Sequence, residues 1–277
     1  MSIIETLQAI VMGLVEGLTE FLPVSSTGHL IIASNVVGMP QGPATDTFIV
    51  AIQAGAILAV CWYYRRRIID VCLGLFKKGP EQNLAVNTVA AFLPAAFFGA
   101  LLAGYLKTYL FNPLTVALAL IVGGFIILWV ERRAAAHPET ARVPTMDDLT
   151  LRDAVGVGFC QCLAMIPGTS RSGATIIGGM LLGLSRRAAT EFSFFLAIPT
   201  IFGATVWDLW NSGSDLLAIQ PMMFTVGLVV SFFSALVVVH WLIRFVARNS
   251  FTGFGWYRIF FGLLILGLSY GGYLPGF

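Results

Sequence analysis

Glu16-Gly17-Leu18-Thr19-Glu20-Phe21-Leu22-Pro23-Val24-Ser25-Ser26-Thr27-Gly28-His29 interrupts sequence that is apolar on both sides. The two carboxylates are four residues apart and so share one face of a helix. Pro23 then stops that helix just before a run of hydroxyls. Ionisable groups at membrane depth are costly and persist there mainly where they line a functional cavity. A second interruption, Pro167-Gly168-Thr169-Ser170-Arg171-Ser172-Gly173-Ala174-Thr175, lies in the other half of the chain. Two carboxylates, a histidine, an arginine and clustered hydroxyls make a kit suited to a phosphate.

The rest of the chain supplies the apolar setting. Of 277 residues, 57% are hydrophobic and 11% charged, against about 25% charged in a soluble domain. The apolar residues come in long segments, so the chain reads as a polytopic membrane protein. Its N-terminus carries Glu5 and no basic region, which is not a signal-peptide pattern. The first apolar segment is therefore expected to be retained. Cys160 and Cys162 are not in a C-x-x-C redox spacing. With Cys61 and Cys72, they read as small apolar residues. No Gly-rich nucleotide loop, haem site or Cys/His zinc site is visible, and no nucleic-acid partner is expected. The glycines are scattered as in membrane helices, which makes a homodimer plausible.

Ten helical segments are expected, at about 3–22, 27–38, 46–64, 84–106, 113–131, 151–166, 172–184, 187–210, 221–246 and 254–275. A spanning helix needs roughly 20 apolar residues, so 27–38 and 172–184 are too short to cross. Each follows a Pro/Gly/Ser break and is expected to pair with its predecessor as a re-entrant hairpin. The halves resemble each other. Leu22-Pro23-Val24-Ser25-Ser26 aligns with Ile166-Pro167-Gly168-Thr169-Ser170 at a shift of 144, and Thr47-Phe48 aligns with Glu191-Phe192 at the same shift. A hairpin returns to its own side and three spans cross an odd number of times, so the second repeat should be inverted. Two inverted hairpins bring their broken tips together near the midplane.

The expected fold is thus an all-α polytopic membrane protein with two inverted repeats. Each repeat is a re-entrant hairpin plus three transmembrane helices. The chain reads as one integral membrane domain, 1–277, with repeat one about 1–131, a connection about 132–149 and repeat two about 150–277. Arg65, Arg66, Arg67, Lys77, Lys78, Arg132, Arg133, Arg142, Arg152, Arg186, Arg187, Arg244, Arg248 and Arg258 all fall on one side of this topology. The other side has Lys107, Asp208 and Asp215. The positive-inside rule then makes the basic side cytoplasmic, and both termini and the mouth of the first hairpin face outward.

The polar residues divide by the chemistry each can do. Glu16 and Glu20 repel each other unless a cation lies between them, and a hard ion such as Mg2+ or Ca2+ takes oxygen ligands. A proton-coupled transport site is the rival reading. Ser25, Ser26 and Thr27 precede a short helix, where hydroxyls and backbone N–H groups bind phosphate or merely cap. His29 can move a proton for a neighbouring hydroxyl or leaving group. Arg171, in the second tip, needs an anionic partner, either a phosphate or Glu16 or Glu20. Ser170 and Ser172 flank it as donors, while Thr175, a turn further, caps or packs. Gln53, Glu191 and Trp207 are weaker candidates, Glu191 being as well explained by a pair with Arg186 or Arg187. His137 and His240 read as structural.

E-G-L-T-E-F-L-P-V-S-S-T-G-H from Glu16 to His29 and P-G-T-S-R-S-G-A-T from Pro167 to Thr175 resemble the two signatures of the undecaprenyl pyrophosphate phosphatase family, the bacitracin-resistance type. Glu191-Phe192-Ser193-Phe194-Phe195-Leu196-Ala197-Ile198-Pro199 also looks familial, and the resemblance spans almost the whole chain. It implies removal of the terminal phosphate of undecaprenyl pyrophosphate, which recycles the carrier lipid for peptidoglycan and other envelope polymers. It implies a bacterial inner-membrane location, a divalent cation and a site open to the periplasmic side. The implied site is Glu16, Glu20, Ser25, Ser26, Thr27, His29, Ser170, Arg171, Ser172 and Thr175. In it Ser26 would attack phosphorus, Arg171 and a metal on Glu16 and Glu20 would stabilise charge, and His29 would move a proton. A metal-activated water is the mechanistic rival. Lipid-phosphate transport and sequestration of the pyrophosphate lipid are the rival functions.

Overall fold

The computed structural model describes residues 2–40, 42–136, 141–212 and 221–273. His137 and Asp215 lie outside the described residues, as does the side chain of Lys107. The described chain is helical, with eleven α-helices and two 3-10 turns, and its only β pairing is one bridge between Val143 and Leu184. In order the helices are α1 (Ile3–Thr19), α2 (Ser26–Val36), α3 (Pro43–Tyr63), α4 (Arg65–Gly74), α5 (Pro80–Leu110) and α6 (Pro113–Ala136). Then come α7 (Leu151–Cys162), α8 (Arg171–Leu181), α9 (Arg186–Ser212), α10 (Pro221–Val246) and α11 (Thr252–Tyr270). Six of them, α3, α5, α6, α9, α10 and α11, are long and apolar enough to cross a membrane. The chain is a multi-pass, all-helical membrane protein.

Local chemistry sets the boundaries. Ser2 and Glu5 form a reciprocal capping box at the start of α1, and Thr150 and Asp153 do the same for α7. Pro80, Pro113 and Pro221 open α5, α6 and α10, where a missing N–H costs nothing. One helix was not expected. Arg65–Gly74 forms α4, because Tyr64 leaves helical geometry (φ −95°, ψ 15°) and separates it from α3. The segment is too short and charged to read as a span. Its Ile68 and Val71 nevertheless fall on one face and pack on the core.

The first helix of each hairpin packs on the opposite half of the chain. α1 runs along α10, and α7 runs along α5. α3 packs on α9 and α10, and α6 packs on α11. Small residues permit the close approaches. A methyl group on Gly17 would lie 2.0 Å from Ser234 Oγ, and one on Gly158 would lie 2.4 Å from the Ala91 carbonyl oxygen. The phenylalanines divide between core and surface: Phe21, Phe48, Phe192 and Phe194 are buried, whereas Phe97, Phe202, Phe233 and Phe260 face outward.

Ion pairs gather at one end of the bundle. Arg67 pairs with Glu81 and Asp147, Arg186 with Glu131, and Arg187 with Glu191. Glu131 also accepts from the Phe251 N–H at 2.8 Å, which joins the ends of α6, α9 and α11. The connection between the halves is tied to this end. Val143 N–H donates to the Gly183 carbonyl at 3.0 Å, and Asn87 donates to the Leu149 carbonyl at 2.8 Å. Arg142 pairs with the buried carboxylate of Asp153. The Arg142 hydrogen bonds hold that carboxyl down to a pKa of about 2, against its desolvation and helped by Thr150.

Candidate functional site

Two backbone positions mark the tips. Ser25 (φ 71°) and Ser170 (φ 73°) are the two non-glycine residues with positive φ among the described residues. Each stands directly before a short helix of 11 residues, α2 or α8. Such a conformation costs roughly 1–3 kcal/mol and persists only where the surroundings impose it. Ser170 lies 145 residues after Ser25, one more than the 144 that separate Pro23 from Pro167. The second tip is therefore one residue longer, and Ser26 corresponds structurally to Arg171 rather than to Ser170.

The tips are bonded to each other. Ser172 Oγ donates to the Leu22 carbonyl at 2.8 Å, and Ser170 Oγ accepts from the Gly173 N–H at 3.1 Å. Arg258 then pins both. Its guanidinium donates to the carbonyls of Pro23, Gly168 and Thr169 in the tips and of Ala119 and Leu120 in α6, at 2.9–3.3 Å. Gly168 has φ 92°, and a methyl group there would lie 2.4 Å from the Val116 carbonyl oxygen. Only glycine fits that approach. Sequence reasoning groups Arg258 with the basic loop residues, but the structure buries it, 1% exposed, inside α11. The legible signal was a lone arginine within apolar sequence, four residues past the expected start of the span.

At the junction sits one carboxylate. Glu20 Oε1 accepts from Arg171 Nη2 at 2.9 Å, and Glu20 Oε2 accepts from Ser26 Oγ at 2.7 Å. Arg171 also donates to the Ser193 carbonyl at 3.2 Å and lies over the Phe21 ring, 5.6 Å from its centroid. Arg171 thus answers the need for an anionic partner with Glu20, and its Nε has no partner. Glu16 lies one turn before Glu20, fully buried, with neither carboxylate oxygen hydrogen-bonded. A buried carboxylate in that state holds a proton or a cation. The oxygens of Glu16, Glu20 and Ser26 are hard donors that fit a divalent ion. Among the described residues no cluster of three or more His, Cys, Asp or Glu forms a complete cage. An ion there would complete its shell with water and phosphate oxygens, as Mg2+ usually does.

The other sequence candidates lie around this centre. Ser25 supplies its carbonyl to His29 Nδ1 at 2.7 Å, so Nδ1 carries the hydrogen. His29 Nε2 lies 2.6 Å from the Tyr257 hydroxyl, and its ring stacks on Phe261 with centroids 4.1 Å apart. Both nitrogens are therefore engaged away from Ser26 and Glu20. Thr175 is fully buried and bonds Ser193 Oγ at 2.6 Å and the Arg171 carbonyl at 2.9 Å, holding α8 to α9. Thr27 is half-buried in the first turn of α2. Glu191 pairs with Arg187 at 3.0 Å, four residues away. Tyr257 and Ser193 are contributors that sequence reasoning missed.

A family model described as Bacitracin resistance protein BacA matches residues 9–264, which include both tips. The chain belongs to that family. It is 53% identical to an undecaprenyl-diphosphatase of Herminiimonas arsenicoxydans, over 96% of each chain. It is 51% identical to undecaprenyl-diphosphatase 2 of Rhodospirillum rubrum, over 98% of each. With an undecaprenyl-diphosphatase of Ralstonia pickettii it shares 49% identity, over 98% of this chain and 97% of the relative. Within the BacA family, then, this chain carries the Glu20–Ser26–Arg171 junction described above.

Proposed function

We propose that this protein hydrolyses undecaprenyl pyrophosphate to undecaprenyl phosphate and inorganic phosphate. That reaction recycles the lipid carrier for cell-envelope synthesis and underlies bacitracin resistance. The observation that carries the reading is the Glu20 carboxylate shared by Ser26 Oγ and Arg171 Nη2 where the tips meet. A hydroxyl on a carboxylate beside a guanidinium is a nucleophile, a base and an anion clamp within one site. The names of relatives about 50% identical over nearly the whole chain supply the lipid.

The chemistry follows from these contacts. Ser26 Oγ attacks the terminal phosphorus as its proton passes to Glu20. The phosphorus–oxygen bond to the prenyl phosphate breaks, and undecaprenyl phosphate leaves. Glu20 passes that proton to the departing undecaprenyl phosphate. Water then attacks the phosphoserine, its proton going to Glu20 and on to Ser26 Oγ as inorganic phosphate leaves. Arg171, freed in part from Glu20 as that carboxylate becomes neutral, turns to the phosphate oxygens. Ser170 and Ser172 fix the second tip. Glu16 and Glu20 would hold a divalent cation, Mg2+ or Ca2+, which when bound neutralises phosphate charge. His29, stacked on Phe261 and bonded to Ser25 and Tyr257, orients the strained turn before Ser26 rather than touching its hydroxyl.

The cross-half packing of α1 on α10 and α7 on α5 supports two inverted repeats with re-entrant hairpins. The gathered arginines support a cytoplasmic basic end in a bacterial inner membrane, with the site open to the periplasmic side. Rapid quench with substrate labelled in the terminal phosphate tests the nucleophile. The expected result is a phosphoenzyme on Ser26 that forms and decays during turnover. Direct transfer of water oxygen to phosphate with no such species would assign the attack to water.

A further inference from the structure

Away from the tips, the described residues contain a largely apolar crevice, with two arginines in its wall, that the reaction does not use. It measures about 590 Å3 and lies at the basic end of the bundle, between the C-terminal ends of α3 and α10. Its walls include Trp62, Arg65, Val237, His240, Trp241 and Arg244, and no acidic residue lines it. Arg65 and Arg244 differ from Arg67, Arg142, Arg186 and Arg187, each of which pairs with a carboxylate. Among the described residues neither Arg65 nor Arg244 has an acidic partner. Arg65 is nonetheless held in place: one N–H donates to the Trp62 carbonyl at 2.9 Å, and its guanidinium lies 4.9 Å above the Trp62 ring. Its remaining donors are open to a ligand.

We propose that this crevice binds the headgroup of an anionic bilayer phospholipid. Two guanidiniums in a recess free of carboxylates complement a phosphate, which arginine meets with paired donors. The wall below them is apolar and faces the lipid, with Val237 67% exposed, so a ligand must carry a hydrophobic tail as well as a charge. Trp62 and Trp241 are 56% and 46% exposed and flank the opening. Tryptophan is enriched at that level of a bilayer, where ring and headgroup meet. Basic pockets between transmembrane helices on the cytoplasmic side hold lipid headgroups by this same combination. The bound lipid joins α3 to α10, the helix against which α1 packs, and so braces the first hairpin from the far side of the membrane.

Native mass spectrometry of the detergent-purified full chain tests this, with phosphatidylglycerol and phosphatidylcholine offered at equal concentration. Phosphatidylglycerol is retained preferentially, and Arg65→Gln with Arg244→Gln weakens its retention by about 25-fold, near fivefold for each arginine. Lys77→Gln with Lys78→Gln removes the same charge from the same end outside the crevice and leaves retention unchanged. Equal retention of the two lipids, or equal loss in both double variants, would overturn the site as a specific one. Displacement of the lipid by millimolar inorganic phosphate alone would overturn the lipid as its occupant. Phosphatase activity does not enter any of these outcomes, so they stand whether or not the reaction assignment does.

Discussion

Glu20 accepts from two donors of different chemistry, Ser26 Oγ at 2.7 Å and Arg171 Nη2 at 2.9 Å. Arg171→Lys keeps the charge but not the paired donors that reach both Glu20 and the Ser193 carbonyl. It is expected to lower kcat by about 100-fold or more, measured as phosphate release by protein that still purifies folded. Ser25 carries a second, separable effect. Its φ of 71° is costly for serine and free for glycine. Ser25→Gly should hold or raise thermal stability by up to about 1 kcal/mol, read by thermal unfolding in detergent. The identities of Glu16, Glu20, Ser26 and Arg171 were legible from ionisable and hydroxyl groups inside apolar sequence. The Arg171–Glu20 pair was one of the alternatives legible there, whereas the sharing of that carboxylate with Ser26 Oγ was not, because it depends on how the two tips meet. His29 was legible as polar, but its orientation toward Tyr257 depends on how α11 packs on α2, which no local pattern encodes.

Among the elements, α11 decides how the tips meet. It carries Arg258, whose guanidinium satisfies five carbonyls from three segments. Arg258→Met strips this donor from the tip carbonyls of Pro23, Gly168 and Thr169, whereas those of Ala119 and Leu120 keep their helical partners, and each lost partner in the tips costs about 1–3 kcal/mol. The variant is expected to lose at least about 3 kcal/mol of stability in detergent unfolding and to lose activity even though Glu20, Ser26 and Arg171 are intact. The helices themselves were largely legible, since proline starts and 20-residue apolar runs are local signals. α10 falls at 221–246 in both sequence and structure. α4 was hidden because it opens on three arginines and its apolar side is read only once Ile68 and Val71 have a core to meet.

For the whole molecule, the basic end works as a clasp. Asp153 at the start of α7, with Arg142 from the connection, ties the connection to the second half at that end. Its folded pKa of about 2 lies below its ordinary value of 3.8. This contribution is therefore complete above about pH 4 and lost as pH falls toward 2. The melting temperature should drop over that window, and Asp153→Asn should remove that part of the drop while lowering stability at neutral pH. Of the ion pairs at this end, Glu191 with Arg187 was legible from its spacing, whereas Arg142 with Asp153 was not. The pairing of α1 with α10 and α7 with α5 was not, because helix partners across a membrane depend on glycine contacts such as Gly17 with Ser234 that have no sequence period. The central claim is that the junction of the two tips is a phosphatase site, and phosphate release from undecaprenyl pyrophosphate by purified protein tests it most directly. Native protein, Ser26→Ala and Arg171→Ala would be compared with Mg2+, with Ca2+ and with EDTA. Metal-dependent release that is lost in both variants is the predicted result. Release by either variant at the native rate, or no release from native protein that still binds the lipid, would contradict it.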